Sequence, residues 1–265
     1  MTVTTTGSSP LPGQFDLHGQ VALVTGGGTG LGRAFATTLA QAGADIALCA
    51  RRRDKLAETA ALLAGTGRRI ICVAMDVTDE ASIDAALGEV NAQLGLPDIL
   101  VNNAGINRPM FATQLSAADW DAVLDTNLKG AFMTARAFAL QPGRAQRGGA
   151  IVNVASILGI RAQKSVAAYM ASKAGLIHLT HALALEWARM NIRVNALLPG
   201  YFRTDITADF MDTAEGQRIV GNIPLRRPGN LDELSGPLLL LASRAGSFMT
   251  GTVIVADGGH LLSSL

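Results

Sequence analysis

The feature that most constrains the fold of this chain is an alternation of short, β-branched apolar runs with longer segments rich in alanine and leucine. Continuously apolar runs are typical of strands buried on both faces of a parallel sheet, and the segments between them then form crossover helices. Runs with the length and composition of such strands occur at 21–25, 46–50, 70–75, 99–103, 150–156, 193–199 and 252–257. The pattern therefore predicts an α/β fold, with one doubly wound, seven-stranded parallel sheet flanked by helices.

The segments between these runs have the composition of helices, and several begin at a capping residue such as Asp79 or Ser116. Helices are predicted near 30–42, 53–64, 79–94, 117–140, 167–190 and 231–243. Because the alternation continues without a break, we expect a single domain over 16–265, preceded by a flexible tail over 1–15. The long connection at about 200–226 is predicted to be a substrate loop, because loops of this length are commonly functional.

Composition and charge exclude several classes of protein. The 22 basic and 21 acidic residues leave a net charge of +1 without a long run of either sign, unlike the basic footprint of a nucleic-acid-binding protein. The apolar run at 238–242 is too short to span a bilayer, and the first residues lack the pattern of a secretory signal. Cys49 and Cys72 have no metal-binding spacing, which favours a reducing, cytoplasmic compartment. We therefore expect a small-molecule partner and no nucleic acid, membrane or metal.

A glycine-rich stretch, TGGGTGLGRAF at 25–35, joins the first predicted strand to the first predicted helix. Gly26, Gly30 and Gly32 would let a ligand approach the backbone closely, while the helix N-terminus offers N–H groups and a positive dipole end to a pyrophosphate. An ordinary tight turn is the alternative, and glycines alone do not exclude it. The position after the first strand of a βαβ series favours a dinucleotide site and hence a Rossmann-type fold.

The end of the second predicted strand bears on which dinucleotide binds. A carboxylate there would receive the ribose hydroxyls of NAD, but Ala50 occupies the position and is followed by Arg51 and Arg52. Guanidinium groups bind phosphate well, so this charge favours the 2′-phosphate of NADP, while NAD stays possible and solvated arginines are the alternative. Asp76, at the end of the third strand, either accepts from the adenine amino group or initiates the next turn.

Tyr169 and Lys173 are one helical turn apart in the segment AAYMASKAGL at 167–176. At this spacing the ammonium can favour a phenolate and lower the tyrosine pKa, which would make the tyrosine an acid/base group. Ser156 ends the fifth predicted strand at the edge where α/β sheets bind ligands, and its hydroxyl could hold a substrate oxygen beside the phenol. Taken singly, a solvated helix lysine and a strand-end hydroxyl are equally acceptable interpretations.

With these residues the chain resembles the short-chain dehydrogenase/reductase family over about residues 18–260. The motifs that carry the resemblance are TGGGTGLG at 25–32, NNAG at 102–105, DTNLKG at 125–130, Ser156, YMASK at 169–173, PGYFRT at 199–204 and ADGG at 256–259. The resemblance implies an NAD(P)-dependent oxidoreductase that interconverts a secondary alcohol and a ketone by hydride transfer. It implies a tetrad in which Tyr169 exchanges the proton and Ser156 positions the substrate oxygen. Lys173 would tune the phenol and bond the nicotinamide ribose, and Asn127 would hold a water that joins Lys173 to solvent.

The resemblance also implies a set of cofactor contacts. These are Gly26, Thr29, Gly30, Leu31, Gly32, Arg51, Arg52, Asp76, Val77, Asn103, Ala104, Gly105, Tyr169, Lys173, Pro199, Gly200, Phe202 and Thr204. NADP-preferring relatives often carry a basic residue at the position of Thr29, so the choice of cofactor depends here on Arg51 and Arg52. Thr204 would contact the nicotinamide carboxamide. The alternatives are a backbone-bonded Asn127 and a helix-capping Thr204.

Relatives of this kind pair through the helices after the fourth and fifth strands and through the last strand, which implies a homotetramer. The segments at 131–140 and 176–188 are apolar on more than one face, as a helix buried on both sides must be. A very apolar intrachain core would produce the same pattern.

Two groups of residues in the predicted loops bear on the substrate. Apolar contacts are offered by Tyr201, Phe202, Phe210 and Met211. A substrate carboxylate or polyol hydroxyl could be bound by Arg108, Arg161 or Arg203, unless all three face solvent. These residues favour a sugar acid, polyol or keto acid. The alternatives are a carbonyl reductase of small or bulky ketones and a non-catalytic NADP(H)-binding sensor.

Overall fold

The computed structural model, which describes residues 12–204 and 207–263, contains all seven predicted strands in one parallel sheet. The strands are β1 Val21–Thr25, β2 Asp45–Ala50, β3 Ile70–Ala74, β4 Ile99–Asn102, β5 Gly149–Val154, β6 Ile192–Pro199 and β7 Val253–Ala256. Their order is β3-β2-β1-β4-β5-β6-β7, so the winding reverses between β1 and β4. Such a reversal opens a crevice at the carboxyl ends of the strands, where α/β sheets bind ligands. The predicted fold class is confirmed.

The helices pack on both faces of this sheet. They are α1 Gly30–Gln41, α2 Arg53–Leu63, α3 Glu80–Gln93, α4 Ala117–Leu124, α5 Gly130–Ala139, α6 Arg144–Arg147, α7 Ala167–Trp187, α8 Ala208–Met211, α9 Ala214–Asn222 and α10 Ser235–Ala242. The helix predicted at 117–140 is continuous, but a π-helical turn at Asp125–Lys129 separates α4 from α5. The short helix α6 was not predicted, and neither were α8 and α9, which occupy the predicted substrate loop.

Two apolar clusters fill the spaces between the helices and the sheet. On one face, side chains such as Phe35 of α1 and Leu238 of α10 pack against the strands. On the other face, Leu87 of α3, Phe138 of α5 and Leu183 of α7 do the same. The sheet is therefore covered on both sides, which explains why its strands are continuously apolar rather than alternating.

The start of the predicted tail lies outside the described residues as far as position 11. From there Pro12–Gln14 form a 3₁₀ turn, and Leu17 is fully buried in the core. Leu17 is thus the first residue of the described chain that packs in the core.

Two other kinds of feature are absent from the described ranges. Within 12–204 and 207–263, no helix is long and apolar enough to cross a membrane. Over the same ranges, no group of three or more His, Cys, Asp or Glu side chains is placed to hold a metal ion.

Candidate active site

The glycine-rich turn leads from β1 into α1 and has the shape of a dinucleotide site. Gly26 and Gly30 have φ values of +66° and +51°, in the left-handed region that favours glycine. A Cβ on Gly32 would overlap the carbonyl oxygen of Gly26 and lie 2.6 Å from Asn103 Nδ2, so only glycine permits this packing. Thr29 caps α1 in an extended conformation without a side-chain capping hydrogen bond. The first-turn N–H groups therefore remain available to an anion, which fits a bound pyrophosphate.

The NNAG segment after β4 holds this turn in place. The hydroxyl of Thr25 accepts from the backbone N–H groups of Asn103 and Ala104, both at 3.0 Å, and Asn103 Nδ2 donates to the Thr25 carbonyl at 2.9 Å. A Cβ on Gly105 would lie 3.2 Å from Asn127 Oδ1 and 3.7 Å from Lys173 Nζ. The segment therefore connects the glycine turn to the predicted catalytic residues. Thr25 is a positioning residue that the sequence analysis missed.

The basic residues predicted to choose the cofactor follow β2 directly. Arg51 and Arg52 are both exposed, and Arg51 Nη1 lies 3.9 Å from Asp76 Oδ2. Asp76 Oδ1 accepts from the backbone N–H of Thr78 at 3.0 Å and from its hydroxyl at 2.7 Å, so Asp76 does initiate a turn. Burial acts to raise the pKa of Asp76, but the Thr78 hydrogen bonds and the Arg51 charge outweigh it and the pKa is lowered. Its contact with adenine stays a prediction.

Three of the predicted catalytic side chains meet where β5 ends and α7 begins. Ser156 caps the following turn by accepting from the backbone N–H of Leu158 at 3.1 Å, and its hydroxyl is near enough to the Tyr169 phenol to lower the pKa of that phenol. Lys173 Nζ donates to the carbonyl oxygen of Val154 at 2.7 Å and lies 5.6 Å from the centre of the Tyr169 ring. The structure therefore brings Ser156, Tyr169 and Lys173 together, as the spacing predicted.

Burial dominates the protonation of this group. It raises the pKa of Tyr169, and the neighbouring Ser156 hydroxyl only partly offsets that effect. Burial also lowers the pKa of Lys173 to about 8. The pKa of Tyr169 is therefore raised in this structure, where the spacing to Lys173 predicts a lowered one, because removal of the phenol from water is the largest effect on it.

Asn127 lies in the π-helical turn and is fully buried. Its Oδ1 accepts from the backbone N–H of Ile106 at 2.8 Å, and its Nδ2 donates to the Ile106 carbonyl at 2.9 Å and to Ser172 Oγ at 3.1 Å. The side chain thus fixes the backbone after Gly105 and ties it to α7, which is the backbone-bonded alternative. The water between Asn127 and Lys173 stays a prediction.

The segment after β6 forms the opposite wall of the crevice. Gly200 packs on Asp257, where a Cβ would lie 2.7 Å from the Asp257 Cα. Thr204 faces the glycine turn, since a Cβ added to Gly30 would lie 3.6 Å from the Cβ of Thr204. The backbone N–H of Thr204 donates to Thr207 Oγ1 at 2.9 Å. Pro199 ends β6 directly before this wall.

Several predicted contact residues contribute their side chains to packing. Phe202 is 7% exposed and covers Gly229, and Met211 is 1% exposed. The prediction that these two side chains offer apolar contact to the substrate is therefore wrong, because both are part of the interior. Leu31 and Val77 are half-buried against the two core clusters.

A second tyrosine lies at the same edge of the sheet. Tyr201 donates to Gln163 Oε1 at 2.6 Å, and its ring centre is 5.5 Å from that of His260. Burial raises the pKa of Tyr201, Tyr169 raises it further, and Arg161 lowers it, so both residues are within electrostatic range of this phenol. Gln163 and His260 carried no sequence signal, whereas Tyr201 stands in the PGYFRT motif and is the other of the chain's two tyrosines.

A crevice shaped for a dinucleotide, beside a half-buried tyrosine and a buried lysine, is the arrangement of an oxidoreductase that uses a nicotinamide cofactor. The family model described as short chain dehydrogenase matches residues 20–215. The chain belongs to the short-chain dehydrogenase family.

Relatives cover almost the whole chain. The 2-dehydro-3-deoxy-D-gluconate 5-dehydrogenase of Dickeya dadantii (strain 3937) is 39% identical over 248 residues, 93% of this chain and 97% of that protein. A putative short-chain alcohol dehydrogenase from Sinorhizobium meliloti 1021 has a TM-score of 0.90 at 44% identity, covering 95% of this chain and 100% of that one. A gluconate 5-dehydrogenase from Burkholderia cenocepacia J2315, solved with NADP and tartrate, has a TM-score of 0.90 at 36% identity, covering 96% and 99%. Membership of this family and the activities of these relatives confirm the predicted class of activity, an NAD(P)-dependent oxidoreductase that interconverts alcohols and ketones.

Proposed function

We propose that this protein interconverts a secondary alcohol and a ketone within a sugar acid, with NADP as the favoured cofactor. The observation that carries the proposal is the meeting of Ser156, Tyr169 and Lys173 at the edge of the crevice between β1 and β4. The gluconate and dehydro-deoxygluconate dehydrogenases among its relatives support the substrate class.

The residues around the crevice fit a dinucleotide along its whole length. The N–H groups of the Gly30–Gly32 turn would hold the pyrophosphate, and Arg51 with Arg52 would bind the 2′-phosphate. Lys173 would bond the nicotinamide ribose and Thr204 the carboxamide. The bound cofactor supplies the donor or acceptor of the hydride at its nicotinamide ring.

The proton is the part of the reaction that the chain itself handles. Because burial raises the pKa of Tyr169, its phenol is protonated at neutral pH and is ready to donate to a carbonyl oxygen during reduction. Ser156 holds that oxygen beside the phenol. In the oxidation direction the phenol must first lose its proton, and the charged form of Lys173 then stabilises the phenolate.

We also propose a homotetramer in a reducing, cytoplasmic compartment. An apolar groove lies between the α4–α5 segment and α7, lined by Leu124, Leu128, Phe132 and Leu179 among others. Leu185 on α7 and Phe248 before β7 are largely exposed. Such surfaces support pairing through the helices and the last strand. Cys49 and Cys72 are both free.

The test is turnover with both nucleotides. Purified protein is mixed with NADP or NAD and a panel of sugar acids, polyols and simple alcohols, and with NADPH and the matching ketones, while absorbance of the reduced nicotinamide is followed. We expect turnover of sugar acids with NADP. Turnover of cyclic or acyl ketones alone would replace the sugar acid with the ketone-reductase alternative. Light scattering of the same sample measures the mass of the assembly.

A further inference from the structure

Three arginines are predicted from the sequence to bind the substrate, and the structure gives them different partners. Arg108 forms an ion pair with Asp119, and Arg203 Nη2 lies 2.8 Å from Asp212 Oδ2; both arginines are exposed. Arg161 is half-buried and forms no ion pair with a described residue. Its Nη1 donates to two neutral acceptors, the carbonyl oxygen of His260 and, at 3.0 Å, Ser263 Oγ.

Arg161 lies on the same short segment as Ser156. Its backbone N–H donates to the Ile157 carbonyl at 2.8 Å, and the N–H of Ile160 donates to the same carbonyl at 3.0 Å. Gln163, two residues further on, accepts from the Tyr201 phenol. A compact turn therefore fixes the backbone between Ser156 and Arg161, and the bonds to His260 and Ser263 hold the guanidinium.

Within residues 12–204 and 207–263, no carboxylate forms an ion pair with Arg161. The nearby carboxylate of Asp257 acts on His260, and its two oxygens accept from the backbone N–H groups of Gly259 and Leu261, at 2.8 and 2.7 Å, rather than from Arg161. His260 Nδ1 is buried in the same cluster without a hydrogen-bond partner among the described residues. A half-buried guanidinium beside an unsatisfied polar atom is typical of a site completed by a charged, hydroxyl-bearing ligand.

We propose that Arg161 binds the substrate carboxylate and thereby selects which secondary alcohol of a sugar acid reaches Tyr169. The inference rests on the proposed function, because it assigns a residue to the acid group of that substrate. The planar guanidinium can bind a carboxylate through two parallel N–H groups, and the backbone of His260 holds it in orientation. The consequence is a preference for sugar acids over the matching uncharged polyols.

The experiment compares Arg161→Gln and Arg161→Lys with the wild-type protein on gluconate and on glucitol, its uncharged counterpart. We expect Arg161→Gln to raise KM for gluconate by roughly 30-fold, as loss of a charge-assisted hydrogen bond implies. We expect kcat within a few fold, and unchanged KM for glucitol and Kd for NADP. Arg161→Lys keeps the charge but loses the paired geometry, so its KM should lie in between. Lys164→Gln, an exposed cation of the same segment, is the control for general electrostatics.

Binding of tartrate to the NADP complex, measured by thermal shift, gives a readout independent of turnover. If gluconate reacts but Arg161→Gln has the same KM as wild type, or if Arg108→Gln or Arg203→Gln has the larger effect, the assignment to Arg161 is overturned while the proposed function stands. If no sugar acid reacts but tartrate stabilises wild type and not Arg161→Gln, the carboxylate site stands and the proposed substrate fails. If neither turnover of acids nor binding of tartrate occurs, both are overturned.

Discussion

The Lys173 ammonium donates a hydrogen bond to the carbonyl oxygen of Val154, with 2.7 Å between the two atoms. This bond joins the first turns of α7 to Val154, the last residue of β5, which stands two residues before Ser156. Lys173 is only 4% exposed and its ammonium has one carbonyl as its partner in the described structure, so its charge is poorly solvated. Burial of this kind disfavours the charged form, and it lowers the pKa of Lys173 to about 8.

The first prediction concerns stability and pH at Lys173. The folded pKa is about 8 and the ordinary value is 10.5, so the unfolded chain binds more protons between these values. The contribution of Lys173 to the free energy of unfolding therefore rises with pH across this window, by about 2 kcal/mol between roughly pH 7 and pH 9.5. Urea unfolding of wild type and Lys173→Met at both pH values measures it. Parallel pH dependence of the two proteins would contradict the buried, depressed lysine.

The second prediction concerns the proton donor. Tyr169→Phe removes the phenol that lies beside the Ser156 hydroxyl, and kcat should fall by roughly 10³-fold, the usual contribution of a general acid or base. The Kd for NADP should stay within a few fold, because the ring and the helix remain. Steady-state rates and nucleotide titration check the two parts. Loss of nucleotide binding would instead make Tyr169 a structural residue.

Tyr201→Phe is the matched control for that experiment, since the chain has two tyrosines and both lie at this edge. It removes the hydrogen bond to Gln163 but not the proton donor. We expect a change in KM and a kcat within about tenfold of wild type, less than the usual contribution of a general acid or base.

The third prediction concerns the choice of cofactor. The double substitution Arg51→Ala and Arg52→Ala removes two exposed guanidinium groups after β2, and KM for NADP should rise by roughly 30-fold through lost charge-assisted hydrogen bonds. KM for NAD, which has no 2′-phosphate, should not change. Arg53→Ala, the third arginine of the run and the first residue of α2, is the control. An equal rise in KM for both nucleotides would mean that these arginines stabilise the fold and do not recognise the 2′-phosphate.

The fourth prediction concerns the glycine turn. A Cβ on Gly32 would overlap the Gly26 carbonyl, so Gly32→Ala should displace the turn, destabilise the protein by about 1–3 kcal/mol and weaken NADP binding. Gly88 in α3 is exposed and a Cβ there would meet open space, so Gly88→Ala should stabilise the helix by about 0.5–1 kcal/mol. Thermal unfolding with and without NADP compares the two. Normal NADP affinity in Gly32→Ala would contradict the close packing of the turn against the start of α1.

Much of the fold could be predicted because its information is local. The run VALVT is apolar up to Thr25 and is buried at every position of β1, and the glycines after it have the backbone angles that their residue type allows. The spacing of Tyr169 and Lys173 likewise required only the geometry of one helix. The helices α8 and α9 were missed because they are short and interrupt a segment with several glycines and prolines.

The sequence by itself determined the order of the strands along the chain, the glycine turn, the serine, tyrosine and lysine of the site, and the family. Only the tertiary structure decided the rest. Phe202 and Met211 are buried in the interior, and Asn127 is hydrogen-bonded to Ile106. Arg108 and Arg203 form ion pairs with aspartates, whereas Arg161 forms none with a described residue. The tertiary structure also reversed the expected direction of the Tyr169 pKa. The physical reason is that burial and partner choice depend on groups distant along the chain, and no local spacing encodes how much water a folded site excludes.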